Sequence, residues 1–554
     1  MDNSTRPPNI LWISTHDINP HLGCYAGVWP EAEHAVTPHL DALAADGVRF
    51  DNAFATSPVC APSRSAIMTG CFPTAIGTMH MRTKAVPPPE VRLLPEYFRE
   101  AGYYCTNNFF TDFQVVTPGT TFDECGPTAH WRNRPDPDAP FFASFHGMLT
   151  HESKIHVEGD EFEALVAAVP ASDRQNPDDV SVPPYYPDTP AMRAVWARYF
   201  DLIAAMDHWV GDLLAQLEED GLAENTIVVF WSDHGIGLPR AKRYAYEAGL
   251  REPLIVRWPG ALEPGTQRDD LVYLMDLGPT MLDACGIEIP RHMHGSPLFD
   301  RDGAAPSPTR EYVVGHRDRM NEAHDRSRTV RDGRFRYVRH DHPDRPLLQH
   351  SHYADQFSSW KEFRRLAAAE DQLRGQGLVP QLLTPLQRRL VAPGKPAEEL
   401  FDISADPHET TDLAGDPDYR DDLVRLRAAL DDWRESYPDL GLVPEDDLVE
   451  DWRPGGRLRE TAAPEVSVTD GVWSASCTTD GSSIGWTTDA PAAAAVEQSF
   501  LGAATGDPER DGRNWKLYSG PVPTSAESTV YVRAWRLGYQ ASAETVIEKD
   551  LVGS

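Results

Sequence analysis

Ile10-Leu11-Trp12-Ile13-Ser14, running through Thr15 into His16-Asp17, is a short apolar stretch that ends in two polar, chemistry-bearing side chains. It reads as a buried strand with functional groups at its C-terminal tip. Further apolar runs follow at Gly102–Cys105, Pro140–Phe145, Thr226–Trp231 and Leu254–Trp258. Thr37-Pro38 supplies an N-cap and a first-turn proline for a helix through Leu40, Leu43 and Ala44. Between the runs, Ala191 to Glu219 carries Val195, Tyr199, Ile203, Met206, Val210, Leu213 and Leu217 at three-to-four spacing, the mark of a long amphipathic helix. Strands alternating with helices predict an α/β fold whose sheet is largely parallel and covered on both faces. Ligands of such sheets lie beyond the carboxyl ends of the strands, so the strand tips are where chemistry is expected.

The chain has 554 residues, more than one core sustains, since single cores stop growing near about 250–300 residues. The expected division is a catalytic α/β domain over 1–330, a smaller α+β subdomain over 331–443, a linker over 444–464 and a β-sandwich over 465–554. The subdomain rests on a strand-like Leu400-Phe401-Asp402-Ile403 and helices near Trp360–Leu366 and Asp421–Trp433. The linker rests on Pro454-Gly455-Gly456, and the sandwich on Gly, Ser and Thr alternating with Val, Trp and Tyr.

With 51 basic and 85 acidic side chains the formal charge is −34, which excludes a general binder of nucleic acid or anionic membrane. No apolar run reaches the roughly 20 residues of a membrane span. Seven scattered cysteines without CxxC spacing form neither a disulfide framework nor a zinc ribbon. No charged segment followed by an apolar one precedes the first strand, so the sequence as written predicts a cytoplasmic protein.

Cys60-Ala61-Pro62-Ser63-Arg64, followed by Ser65, Ala66, Thr69 and Gly70, resembles the C-x-P-S-R signature of the type I, formylglycine-dependent sulfatases. Thr37-Pro38-His39-Leu40-Asp41, Gly47-Val48-Arg49-Phe50, Trp258-Pro259-Gly260 and Leu400–Leu413 extend the resemblance over roughly residues 9 to 435. It implies an alkaline-phosphatase-like architecture and hydrolysis of sulfate monoesters. Cys60 would be oxidised to formylglycine by a formylglycine-generating enzyme. One hydroxyl of the hydrated aldehyde would attack sulfur and the other would expel sulfate, so that water need not attack. Arg64 would hold that diol, His151 would serve the leaving-group oxygen, and Lys242 would contact the transferred sulfate.

The same resemblance implies a divalent cation, calcium in most of the family, held by Asp17, Asp233, His234 and residue 60. Carboxylates beside an oxygen nucleophile suit a hard cation acting as Lewis acid. Two departures stand out. His16-Asp17 replaces the usual Asp-Asp, leaving His16 as a ligand or as a support behind the ligands, and an imidazole-richer site also fits manganese. Phe110, in Thr106-Asn107-Asn108-Phe109-Phe110-Thr111-Asp112, stands where many sulfatases carry a lysine. Asn107, Asn108 and Thr111 are therefore candidates for neutral hydrogen bonds to substrate, and His80 and Arg82 for further contacts.

Phosphonate monoester and phosphodiester hydrolases of the same superfamily use uncharged residues in that region, which keeps such a hydrolase open as an alternative. The expected substrate is a small anionic sulfate ester or a sulfated glycan. The C-terminal segment looks like the fibronectin-like domain of some hexosaminidases (chitobiases) and sulfatases. A structural or oligomer-forming role is expected for it, with sugar binding by exposed tryptophans as the other reading. An inactive, carbohydrate-binding member is a third reading, against which intact Cys60, Asp17, Asp233 and His234 stand.

Overall fold

Residues 6–83, 85–301, 303–304, 309–491, 513–524 and 528–548 are described by the computed structural model of the chain. Its largest sheet contains β1 (Asn9–Thr15), β2 (Val48–Phe54), β3 (Tyr104–Asn108), β4 (Glu124–Cys125), β5 (Phe141–Gly147), β6 (Thr226–Ser232), β7 (Arg251–Arg257), β8 (Thr266–Arg268) and β9 (Val272–Tyr273). The strand order is β4-β3-β5-β1-β6-β7-β2-β8, with β9 also paired to β2. Only β7 runs antiparallel to its neighbours β6 and β2; the other pairings of this sheet are parallel.

Burial on both faces explains the unbroken apolar runs. In β1, Leu11 and Ile13 enter one core while Ile10 and Trp12 enter the other. In β6, Val228 and Phe230 side with the first core, and Ile227, Val229 and Trp231 with the second. Alternate side chains thus meet two different helical layers, and neither face has a reason to be polar. Helix Pro190–Glu219 covers one face, capped by Thr189, whose side chain accepts the Met192 N–H. The other face is covered by α2 (Cys60–Thr69) together with helices Leu94–Glu100 and Leu277–Ala284; α1 (Pro38–Ala45) packs on the first face.

Parallel pairing also sets the site. Thr15 of β1 is in register with Ser232 of β6 and with Gly147 of β5. The residues that follow each strand, 16–17, 233–234 and 148–152, therefore leave the sheet side by side at its centre.

A second, four-stranded antiparallel sheet is built from Val313–Arg317, Ser327–Arg331, Phe335–His340 and Glu398–Asp402. Helix Arg420–Ser436 covers it with Leu423, Leu426, Leu430 and Trp433. This sheet starts at Val313, so the expected boundary at 330/331 falls inside it. The expected linker 444–464 contains helix Glu445–Trp452, in which Leu448 is buried and Glu445 pairs with Arg319 (Nη2 to Oε1, 2.6 Å). Its acidic, Pro- and Gly-flanked composition hides that one apolar anchor.

Within the last segment, Glu465–Thr469, Val472–Ser476 and Val522–Pro523 form one sheet, and Lys516–Leu517, Ser482–Thr487, Val530–Arg536 and Thr545–Ile547 another. Trp473, Val530, Val532 and Ile547 are buried between them. Residues 492–512, 525–527 and 549–554 of the expected 465–554 sandwich lie outside the described residues, as do residues 1–5. Trp473, Trp515 and Trp535 are at most 1 % exposed, so these rings are core rather than a sugar platform. Among the described residues no helix is long and apolar enough to cross a membrane.

Candidate active site

Cys60 is the first residue of α2, a helix whose ten residues are all buried and which ends on Gly70 in the left-handed conformation. Pro62 is tolerated because it lies in the first turn, where N–H groups have no intrahelical partner. The helix is fixed against the β6 tip by Ser63, whose Oγ donates to the Asp233 carbonyl at 2.5 Å. That bond sets Cys60 beside His234, with Sγ 3.1 Å from Nε2. Burial alone would raise the thiol's pKa, but Lys242 and His234 together outweigh it and hold the group well below its ordinary value.

Around Cys60 the three strand tips converge. His16 Nδ1 lies 2.9 Å from Asp233 Oδ2, and His234 Nε2 lies 3.2 Å from Asp17 Oδ1. Burial opposes charge on both imidazoles, yet Asp233 and neighbouring groups prevail and each pKa stands at about 9. Asp17 adopts a φ of 56°, a left-handed backbone uncommon outside glycine. It is held there by the Glu152 N–H, which donates to Oδ2 at 2.7 Å, and by Lys242 Nζ at 3.0 and 2.8 Å from its two oxygens. Thr150 ties the β5 loop to this turn by donating to the His16 carbonyl at 2.5 Å.

The ligand atoms of His16, Asp17 and Cys60 lie within 4.8 Å of one another, and so do those of Cys60, Asp233 and His234. His16 Nδ1 and Asp233 Oδ2 face each other as an ion pair, and His16 Nε2 is fully buried without an aligned hydrogen-bond partner. Buried polar atoms left this way are costly unless something else satisfies them. A divalent cation held by these residues fits that requirement.

Arg64 spends Nε on the Thr111 carbonyl (2.8 Å) and Nη2 on the Phe110 carbonyl (2.9 Å), and Nη1 is buried without a partner. Among the described residues no carboxylate lies within ion-pair distance of it. Lys242 differs, because Asp17 (2.8 Å) and Glu152 (2.9 Å) both neutralise it. Phe110, the residue in place of a lysine, meets His16 edge-on at 4.9 Å and lies under the Arg64 guanidinium, 5.0 Å from the ring centroid. It gives the Arg64 guanidinium a π-face. His151 caps the short helix Glu152–Ile155, with Nδ1 2.9 Å from Ser153 Oγ, and its ring is 5.9 Å from that of His16.

Other expected contacts are directed elsewhere. Asn107 Oδ1 accepts from His146 Nε2 at 2.8 Å, and its amide nitrogen turns to the Phe110 carbonyl. Asn108 donates to the carbonyls of Pro127 and Ala129. These amides brace the sheet edge and are not presented to a substrate. Thr111 is fully buried and contributes its carbonyl to Arg64. His80 sits against the small sheet, with Nδ1 accepting the Arg319 N–H at 3.3 Å. Arg82 is half-exposed at the rim, 3.9 Å from Asp112.

Three groups of the site went unassigned in the sequence. Glu152 is clamped by Arg243 (2.9 and 2.8 Å), which fixes the loop that follows His151. Asp112 is buried with Oδ2 unpartnered, and burial lifts its pKa to about 6 against the pull of Arg82. Glu252 of β7 has both oxygens buried and unpartnered. Burial, with Asp233 and Asp17 nearby, pushes its pKa well above the ordinary carboxylate value. Adjacency to His151 and Lys242 was the available signal for Glu152 and Arg243; no local pattern marks Asp112 or Glu252.

Residues 8–287 match the protein family described as Sulfatase, and residues 238–344 that described as N-sulphoglucosamine sulphohydrolase, C-terminal. An "Ulvan-active sulfatase" of Formosa agariphila is 36% identical over 573 residues, covering 97% of this chain and 90% of its own length. The human N-sulphoglucosamine sulphohydrolase is 28% identical over 492 residues, covering 80% of this chain and 93% of its own. The structure of BT4656 in complex with its substrate D-glucosamine-2-N,6-O-disulfate superposes with a TM-score of 0.54 at 18% identity, covering 78% of this chain and 99% of that one. The phosphonate monoester hydrolase SpPMH from Silicibacter pomeroyi gives 0.53 at 21% identity, covering 79% and 97%.

Proposed function

This chain belongs to the sulfatase family, within the alkaline-phosphatase-like superfamily, and from that premise we propose that it desulfates a sulfated glycan through a nucleophile made from Cys60. The observation that carries the reading is Arg64, a buried cation with no carboxylate of the described residues in ion-pair distance, one helical turn from Cys60 and with Nη1 unspent. Asp233 and Asp112 act on it only from farther off, so a buried guanidinium is left without a direct ionic partner, and an anionic sulfuryl group is the partner that offsets the cost. The glycan is supported by two relatives, one named for ulvan and one bound to a sulfated amino sugar.

Each side chain then has a task. Arg64 binds a sulfuryl oxygen with Nη1 while its other nitrogens hold the 110–111 carbonyls. Lys242 keeps Asp17 oriented and would contact the sulfuryl group with the same ammonium. His151, with Nδ1 occupied by Ser153, offers its other nitrogen to the leaving oxygen and supplies the proton as the S–O bond breaks. Oxidised to formylglycine and hydrated, residue 60 would supply an oxygen nucleophile that a cysteine lacks. His16, Asp17, Asp233 and His234 would hold a divalent cation, which when bound polarises the sulfuryl oxygens. Two imidazoles beside two carboxylates form a softer set than calcium usually takes, so manganese fits beside it.

Two measurements test this. Turnover of aryl sulfate, aryl phosphonate and bis-aryl phosphate should favour the sulfate; preference for the phosphorus esters would establish the other hydrolase, which the uncharged Phe110 favours. Elemental analysis should find a stoichiometric divalent metal in the native chain, bound at least about tenfold more weakly in Asp233→Asn. Unchanged metal affinity in that variant would remove Asp233 from the ligands.

A further inference from the structure

We propose that the C-terminal β-module is a clamp on the loop of residues 108–117, and that through this loop it positions Arg64. The loop matters because, among the described residues, the hydrogen bonds and ring contacts of the Arg64 guanidinium all go to it: Thr111 O at 2.8 Å, Phe110 O at 2.9 Å, and the faces of Phe110 and Phe113. Where the loop goes, the guanidinium goes.

This loop is not one the backbone prefers. Asp112 and Gln114 have φ values of 53° and 66°, and non-glycine residues persist there only when their surroundings over-determine them. Gln114 is gripped on four sides. Its Nε2 donates to the carbonyls of Thr78 and His80, its Oε1 accepts the Arg82 N–H at 2.5 Å, and its own carbonyl accepts the Ala85 N–H at 3.0 Å. Residues 78–82 and Ala85 therefore support the loop, and the strap of residues 85–89 continues from them.

The module seats on that strap. Arg536 Nη2 donates to the Pro87 carbonyl at 2.8 Å, and the Gly538 N–H donates to the Val116 carbonyl at 3.3 Å. Ser483 Oγ lies 2.6 Å from Thr120 Oγ1, which in turn donates to Glu96 at 2.9 Å, while Arg99 Nη2 reaches the Trp515 carbonyl at 2.8 Å. Glycines make the approach close. A Cβ on Gly538 would stand 2.7 Å from the Ala85 carbonyl oxygen, and one on Gly481 2.0 Å from that of Pro89. Leu537 completes the catalytic domain's own core. A tethered sugar-binding module needs no such fit, and Trp473, Trp515 and Trp535 are core residues.

The test uses the full chain. Arg536→Met loses the bond to Pro87, Arg536→Lys keeps a donor, and Gly538→Ala forces the module off the strap; Val546→Ser, on an exposed position, is the control. Amide hydrogen exchange over 108–117 should quicken about tenfold in Arg536→Met and Gly538→Ala, with strands 9–15 and 226–232 unchanged. Sulfate-ester kcat should fall about ten- to a hundred-fold with KM moving less, because a displaced catalytic group costs rate. Arg536→Lys should restore both readouts towards the native values. Native exchange over 108–117 in both disruptive variants, or quickening that spreads equally to the central strands, would overturn the clamp. Exchange needs no substrate, so a chain that fails to hydrolyse sulfate esters would refute the sulfatase reading and leave this test standing.

Discussion

Cys60→Ala is expected to lose turnover by about 10⁴-fold or more while its thermal unfolding stays close to that of the native chain. Loss of a nucleophile removes the covalent route altogether, and what survives is the residual rate from binding and electrostatics. Stability should move little, because Cys60 contributes sulfur contacts to His234 at 3.1 Å and to His16 and His151, and no backbone feature that alanine lacks. Alanine suits a helix's first turn at least as well as cysteine. The removed atom leaves a gap on the scale of a methyl group, worth about 1 kcal/mol. A mass spectrum of the residue-60 peptide from active native enzyme completes the argument. An unmodified cysteine there, or a Cys60→Ala variant that still turns over, would end the formylglycine reading.

The strand tips were legible because β1 and β6 are buried on both faces, and continuous apolar runs end abruptly at His16-Asp17 and Asp233-His234. Parallel register then brings together residues more than 200 positions apart. β2 was harder to see, since Val48–Phe54 carries Arg49 and Asp51, which pair with each other along the strand, and Asn52, which donates to the Asp269 carbonyl. The same reason hides the direction of Asn107 and Asn108: an amide's partner is a tertiary fact, and here it is His146 or a carbonyl near residue 128. The ionic surroundings of the two expected cations are likewise tertiary facts: Lys242 pairs with Asp17 and Glu152, whereas among the described residues no carboxylate lies within ion-pair distance of Arg64, which donates to the 110–111 carbonyls instead.

Lys242→Met is expected to separate the two roles of that lysine. The substitution keeps the length of the side chain and removes the charge from between Asp17 and Glu152. Glu152 stays paired through its two bonds to Arg243, so the stranded group is Asp17, left with the Glu152 N–H and His234. Breaking one side of a buried pair costs about 3–5 kcal/mol, and denaturant unfolding should register a loss near the lower end because of those remaining contacts. Turnover should fall about 10²–10³-fold, the usual effect of deleting one preorganised charge from a transition-state site. Saturating divalent metal should recover part of the stability, since a ligand bound only to the folded state raises it by mass action. It should not recover the rate, because the ammonium that Asp17 and Glu152 hold in place, and that would contact the sulfuryl group in the proposed reaction, is still missing. A native unfolding midpoint would mean that Asp17 does not depend on Lys242, and a rate within twofold of native would place Lys242 outside the machinery that handles sulfate.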